Sequence, residues 1–303
     1  MELLYFFEKI RLPGLNEFML AITTLGEETA FLVIAMILFW CVDKYVGYYT
    51  LSVGFIGTIA NQFMKLWFRI PRPWVLDENF TILEQARAEA TGYSFPSGHT
   101  QSAVGTFGCI AATTRKRWLM IISVVVAALV AVSRMYVGVH TPLDVGVSVI
   151  FATILIFALR PVVLKHRQKA MPFLLGGMIL LAVGYLCFVE FYQFPADMDT
   201  YNYEHGLQNA YTLLGALTGL VIVYIVDEKW LHFPVKAVWW AQILKVLIGL
   251  GLVLAVKSGT KGLLNSAFGE LPGRAVRYCL IVVVAGVLWP LAFRWFAKLG
   301  KKE

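Results

Sequence analysis

Apolar residues fall along this chain in long, nearly unbroken blocks joined by short polar segments. The blocks show neither the period-two alternation of a half-buried strand nor the wide polar stripe of a soluble amphipathic helix. Crossing a hydrocarbon core takes about 20 such residues, fewer where the bilayer thins. By that ruler the pattern predicts spans near Thr29–Val42, Val46–Phe68, Ser97–Thr114, Trp118–Tyr136, Leu143–Val163, Pro172–Phe191, Gly206–Val226, Ala237–Val256 and Ala275–Phe296. The first is short. Ahead of it, Leu15–Gly26 is apolar but broken by Thr23, Thr24, Glu27 and Glu28, which suits a re-entrant piece, an interfacial piece or part of one longer helix. Leu3–Leu12 has the character of an amphipathic interfacial helix stopped by Pro13-Gly14.

Composition agrees with this pattern. Of 303 residues 59% are hydrophobic and only 15% charged, against about 45–50% and 25% in a soluble domain. That excludes intrinsic disorder, a collagen-like fibre and a secreted disulfide scaffold. The expected fold is all-α, a polytopic integral membrane helix bundle. Cys41, Cys109, Cys187 and Cys279 each sit inside an apolar block and read as small buried hydrophobes. The N-terminus lacks the shape of a cleavable signal peptide, and no soluble domain is expected after the spans. Gly215 and Gly219 form a G-x-x-x-G, read as close packing within the bundle and only weakly as a homodimer contact.

The net charge of +7 takes a membrane reading before a nucleic-acid one, and no nucleic-acid partner is expected. Two loops, Ile70–Phe95 and Tyr192–His205 (with Asp197, Asp199 and Glu204), fall on one side of the membrane when spans are counted. The other side receives Lys44, the cluster Arg115-Lys116-Arg117, the basic stretch from Arg160 to Lys169, Lys229, Lys236 and the C-terminal Arg294, Lys298, Lys301 and Lys302. The positive-inside rule then places the two long loops outside the cytoplasm.

Polar chemistry interrupts the apolar pattern at three places on that loop side: Lys65-x6-Arg72-Pro73, Pro96-Ser97-Gly98-His99, and Ser133-Arg134-x5-His140-x3-Asp144. Ionisable groups at membrane depth are costly, so they are functional candidates by default. Lys65, Arg72 and Arg134 lack a matching set of carboxylates, so their partner should be a polyanion, and guanidinium forks fit phosphate. Ser97, Gly98 and His99 open a helix, whose amides and dipole make a phosphate site, with no Gly98 side chain in the way. One imidazole is suited to attack phosphorus and the other to protonate the leaving oxygen. Asp144, four residues after His140, can orient it, which makes His140 the better nucleophile and His99 the better acid. Taken singly, Asp144 and Ser97 are also ordinary helix caps. His205 most simply belongs to an interfacial aromatic belt. His166 and His232 are expected to be solvated, and Lys245 is left open between snorkelling, a carboxylate partner and a polar cavity.

These three motifs resemble the signature of the type 2 phosphatidic acid phosphatase (PAP2) superfamily, matched at every specified position. The resemblance spans roughly Thr29–Val163. It implies a six-helix core and a phosphohistidine mechanism with no metal or cofactor. By that resemblance Lys65, Arg72, Ser97, Gly98 and Arg134 bind phosphate, His99 protonates the leaving group, His140 attacks and Asp144 orients it. The implied organisation is an N-terminal interfacial or re-entrant segment (1–28), a PAP2-like core (29–165) and additional C-terminal transmembrane segments (166–303). The expected partners are the lipid bilayer and a membrane lipid phosphate of phosphatidic acid, phosphatidylglycerol phosphate or polyprenyl diphosphate type. The expected location is a bacterial cytoplasmic membrane with the site on its extracytoplasmic face. The alternatives are an undecaprenyl-diphosphatase, a lipid phosphotransferase or a lipid-phosphate transporter.

Overall fold

The computed structural model describes residues 1–299 except 89, 91 and 197, and leaves the Arg167 side chain undescribed. Asp197, Lys301 and Lys302 therefore lie outside the described residues. No strand occurs among those that are described. The helices are α1 (Glu2–Lys9), α2 (Pro13–Thr23), α3 (Glu28–Ile37), α4 (Lys44–Phe68), α5 (Pro73–Leu76), α6 (Gly98–Thr113), α7 (Arg117–Tyr136), α8 (Pro142–Arg160), α9 (Arg167–Phe191), α10 (Thr200–Val226), α11 (Trp239–Gly259), α12 (Lys261–Phe268), α13 (Glu270–Val283) and α14 (Phe293–Phe296). The protein is an all-α polytopic membrane protein.

Among the described residues six helices are long and apolar enough to span, namely Arg117–Tyr136, Pro142–Lys165, Gln168–Phe191, Thr200–Leu231, Trp239–Gly259 and Glu270–Phe296. A pair bent by 57°, Pro13–Gly26 with Glu28–Val42, makes a seventh if taken as one span. The two other expected spans, α4 and α6, are helices but fall outside that set. The reason is physical: α6 is only 16 residues long, and both helices carry the polar residues of the site. Protein instead of lipid surrounds their polar faces, so they need not be uniformly apolar.

Chain contacts divide the protein into two units: Met1–Leu32, Tyr49–Pro161 and Phe194–Gly206 in the first, Val33–Tyr48, Val162–Gln193 and Leu207–Glu303 in the second. In the first, a three-residue joint between α6 and α7 makes them antiparallel neighbours, and α6 also packs on α8. Helix α4 runs antiparallel to α6 at close range: Gly105 faces Val53, Gly57 faces Gln101, and Gly98 faces Asn61. A Cβ at Gly57 would lie 2.4 Å from Gln101 Nε2, so the Gln101 side chain occupies the space that glycine leaves. Helix α1 is not simply a lipid-surface helix. Its Leu4 is wholly buried with Phe80 and Ile82, and Arg11 donates to the carbonyls of Tyr136 and Thr81.

In the second unit, Gly215 and Gly219 bring α10 against α13. A Cβ at Gly215 would stand 2.1 Å from the Ala275 carbonyl oxygen, so the G-x-x-x-G is an intrachain packing seam. Lys245, fully buried in α11, pairs with no carboxylate among the described residues. Its ammonium donates to the carbonyls of Trp40 (2.7 Å) and Val235 (2.9 Å) and sits 4.1 Å from the centre of the Phe293 ring. The Trp40 carbonyl lies in a π turn ending the α3 segment, where widened backbone leaves acceptors open. Lys245 is thus a structural clamp. Lys44 pairs with Asp227 at 2.6 Å in the same unit.

Candidate functional site

Each motif owes its place to local structure. Thr141-Pro142-Leu143-Asp144 opens α8 with an N-cap, a proline at the first helical position and a completed capping box: the Thr141 amide donates to Asp144 Oδ2 (2.7 Å) and the Asp144 amide to Thr141 Oγ1 (3.3 Å). Ser97 caps α6, accepting from the Thr100 amide, and the Gln101 amide goes to the Ser97 carbonyl. The amides of Gly98 and His99 remain as the helix's outward donors. The two helix starts are stitched together. The Ser97 amide donates to the Asp144 carbonyl (3.2 Å), and Ser148 Oγ donates to the Ser97 carbonyl (2.9 Å).

Around them the cations converge. Lys65, in the last turn of α4, donates to the Tyr93 carbonyl. Arg72 donates to the carbonyls of Gly92 (3.0 Å) and Val139 (2.9 Å), and its Nη1 lies 3.0 Å from His140 Nε2. Arg134, wholly buried at the end of α7, donates to Thr23 Oγ1 at 2.6 Å. Lys65 lies within electrostatic range of Arg72, Asp144 and Arg134, and His99 within range of all three cations. The structure therefore brings together the eight residues named from the motifs.

The imidazoles differ in their surroundings. His140, between α7 and α8, has Nδ1 3.6 Å from Asp144 Oδ2 and Nε2 beside Arg72. Burial first, then the charges of Arg72, Arg134 and Lys65, hold its pKa well below the ordinary histidine value, so the ring is neutral. Its free tautomer choice follows from the same geometry: a proton on Nδ1 faces the carboxylate and leaves the Nε2 lone pair toward the cations. His99 Nε2 is buried and has no hydrogen-bond partner among the described residues. Asp144 Oδ2 is shared. It also accepts from Ser94 Oγ at 2.6 Å, closer than His140.

Ser94, Asn61 and Thr23 were not singled out by sequence. Asn61 Nδ2 donates to the Pro96 carbonyl at 3.4 Å, one helical turn before Lys65 on the same face of α4. That i, i+4 spacing with Lys65 was the available signal. Ser94 stands three residues before Ser97, with no signal beyond its place next to the motif. Thr23 sits in the polar break that the apolar pattern did show.

A membrane bundle with such a grouping at its helix ends falls in the class of integral membrane phosphatases. The chain matches the PAP2 superfamily over residues 44–168 and the transmembrane extension of PAP2 superfamily phosphatases over residues 211–302. The chain belongs to the PAP2 superfamily. It is 32% identical over 149 residues to phosphatidylglycerophosphatase B of Bacillus subtilis, covering 45% of this chain and 69% of that protein. It is 32% identical over 137 residues to an undecaprenyl-diphosphatase of Sulfolobus acidocaldarius, covering 45% and 64%. To sphingosine-1-phosphate phosphatase 1 of Rattus norvegicus it is 24% identical over 260 residues, covering 78% and 57%. No solved structure matches the chain significantly.

Proposed function

We propose that this protein removes phosphate from a membrane lipid through a covalent phosphohistidine. The observation that carries the reading is the convergence of Lys65, Arg72 and Arg134 on a neutral His140 that faces Asp144. A phosphoryl group held by Arg72 presents its phosphorus to the adjacent Nε2. Nε2 attacks, the P–O bond to the lipid breaks, and His99 gives its proton to the departing alkoxide. Water, giving a proton back to His99, then attacks the phosphohistidine; the N–P bond breaks, inorganic phosphate leaves, and both imidazoles are restored. The cations and the Gly98 and His99 amides offset the charge on the transferring group.

Helix ends suit a substrate whose phosphate lies at headgroup depth, and the excess of basic residues on the opposite side supports an extracytoplasmic site by the positive-inside rule. The substrate belongs among phosphatidic acid, phosphatidylglycerol phosphate and polyprenyl diphosphate. One observation favours a second group: similarity to sphingosine-1-phosphate phosphatase 1 runs over more of this chain than similarity to the other relatives. A long-chain lipid phosphomonoester therefore joins the panel.

The test is phosphate release by purified protein in mixed micelles containing EDTA, across these lipids, for wild type and His140→Ala. Release by wild type alone is expected, with the acid limb of kcat/KM below about pH 6.5 because His140 stays neutral beneath its ordinary value. Equal release by His140→Ala would remove the phosphohistidine, and binding of a lipid phosphate without release would favour phosphotransfer or transport.

A further inference from the structure

Residues 1–43 precede the segment that matches the PAP2 superfamily, yet part of them reaches into the site. Helix α2 ends at Thr23, and the Thr24 hydroxyl folds back onto the Ala21 carbonyl (2.8 Å), a bond that bends helices. One tight turn, Thr24–Gly26, follows; Glu27 is extended, and α3 leaves at 57°. The elbow so formed lies against two site residues. The Thr23 hydroxyl, 5% exposed, accepts from the buried Arg134 Nη1 at 2.6 Å. Gly26 is pressed to the start of α6: a Cβ there would meet the His99 carbonyl oxygen at 2.9 Å, His99 Cβ at 3.0 Å and Val130 at 2.8 Å.

We propose that this N-terminal elbow is a working part of the phosphate site, with Thr23 the positioning residue that aims Arg134 and Gly26 the contact that sets His99. The assignment rests on the reading of Arg134 as a phosphate ligand. A guanidinium on a long side chain has many rotamers, and a short charge-assisted bond from one nitrogen selects among them and so fixes the plane of the fork. The elbow's apex is fixed by sequence at one place, because only glycine admits the His99 backbone at that distance. Thr23 touches Arg134 and not the substrate, so its effect passes through that arginine.

The experiment uses the full chain in detergent micelles with orthovanadate as the phosphate-mimicking probe, scoring its inhibition constant beside kcat and KM. Thr23→Val keeps the shape and removes the acceptor; Thr23→Ser restores it. Thr23→Val is expected to weaken vanadate inhibition and raise KM by about tenfold, the scale of one charge-assisted hydrogen bond, with Thr23→Ser close to wild type. Thr23→Val and Arg134→Lys should be non-additive, since each disturbs the same contact. Thermal melting of each variant separates this from collapse: a Thr23→Val protein that melts near wild type while losing vanadate affinity supports the elbow. Unchanged vanadate affinity in Thr23→Val, an equal loss in Thr23→Ser, or strict additivity with Arg134→Lys would overturn it. If Arg134→Ala itself left vanadate affinity intact, the ligand reading of Arg134 would fall instead, and the two failures are distinct.

Discussion

Asp144 shows how one carboxylate serves several neighbours. Its Oδ2 is 2.7 Å from the Thr141 amide and 2.6 Å from Ser94 Oγ, but 3.6 Å from His140 Nδ1. By distance it is a helix cap first and the histidine's partner second. A positive charge on the imidazole, as in a phosphohistidine, would strengthen the longer contact into a charge-assisted bond. The two jobs separate by substitution. Asp144→Asn keeps an acceptor for Thr141 and Ser94, so its melting temperature should stay near wild type while kcat falls on the order of 10²–10⁴-fold, as for loss of the orienting acid in a triad. Asp144→Ala should lose kcat similarly and also about 0.5–2 kcal/mol of stability with the cap. Full activity in Asp144→Asn would reduce Asp144 to a cap. The motif residues were legible because charges stand out against apolar surroundings. Thr23, Ser94 and Asn61 were not, since a neutral polar side chain has an ordinary local explanation and its partner is remote: Thr23 and Arg134 are 111 positions apart, Ser94 and Asp144 50.

At the scale of elements, the apolar blocks located every helix long and apolar enough to span, and also predicted two, α4 and α6, that fall outside that set. Helix α4 carries Asn61 and Lys65 and α6 carries His99 and Gln101, with Asn61 beside Gly98 and Gln101 beside Gly57, so neither helix is uniformly apolar. The bend between α2 and α3 was visible as a break but not as an angle, because its geometry depends on packing against His99 and Val130. Glycines divide in the same way. Gly215 meets the Ala275 backbone, which cannot yield, whereas Gly176 in α9 has nothing within 4 Å. Gly215→Ala is therefore expected to destabilise the protein by about 1–3 kcal/mol, the usual range for overpacking. Gly176→Ala should be neutral or stabilising by up to about 1 kcal/mol through helix propensity. Melting in one detergent compares them, and equal shifts would show that the α10–α13 seam is not tight.

For the whole molecule, the expected orientation rests on the distribution of basic residues between the two sides. Arg115, Lys116 and Arg117 crowd the three-residue joint and first turn between α6 and α7, where a short loop makes positive charge most effective at resisting export. On the opposite ends of those helices, Arg134 is wholly buried against Thr23, so it is set apart from the exposed loop charges. Counting it with the loop charges would blunt the asymmetry; leaving it out sharpens it. A cysteine replacing Lys116, in a background freed of the four native cysteines, should resist a membrane-impermeant thiol reagent in intact cells and react once the membrane is opened. A cysteine at exposed Glu78, in the loop beyond α4, should react without opening. Labelling in the reverse order would put the site on the cytoplasmic face, where it would meet lipid phosphates made inside the cell and not those presented outside it.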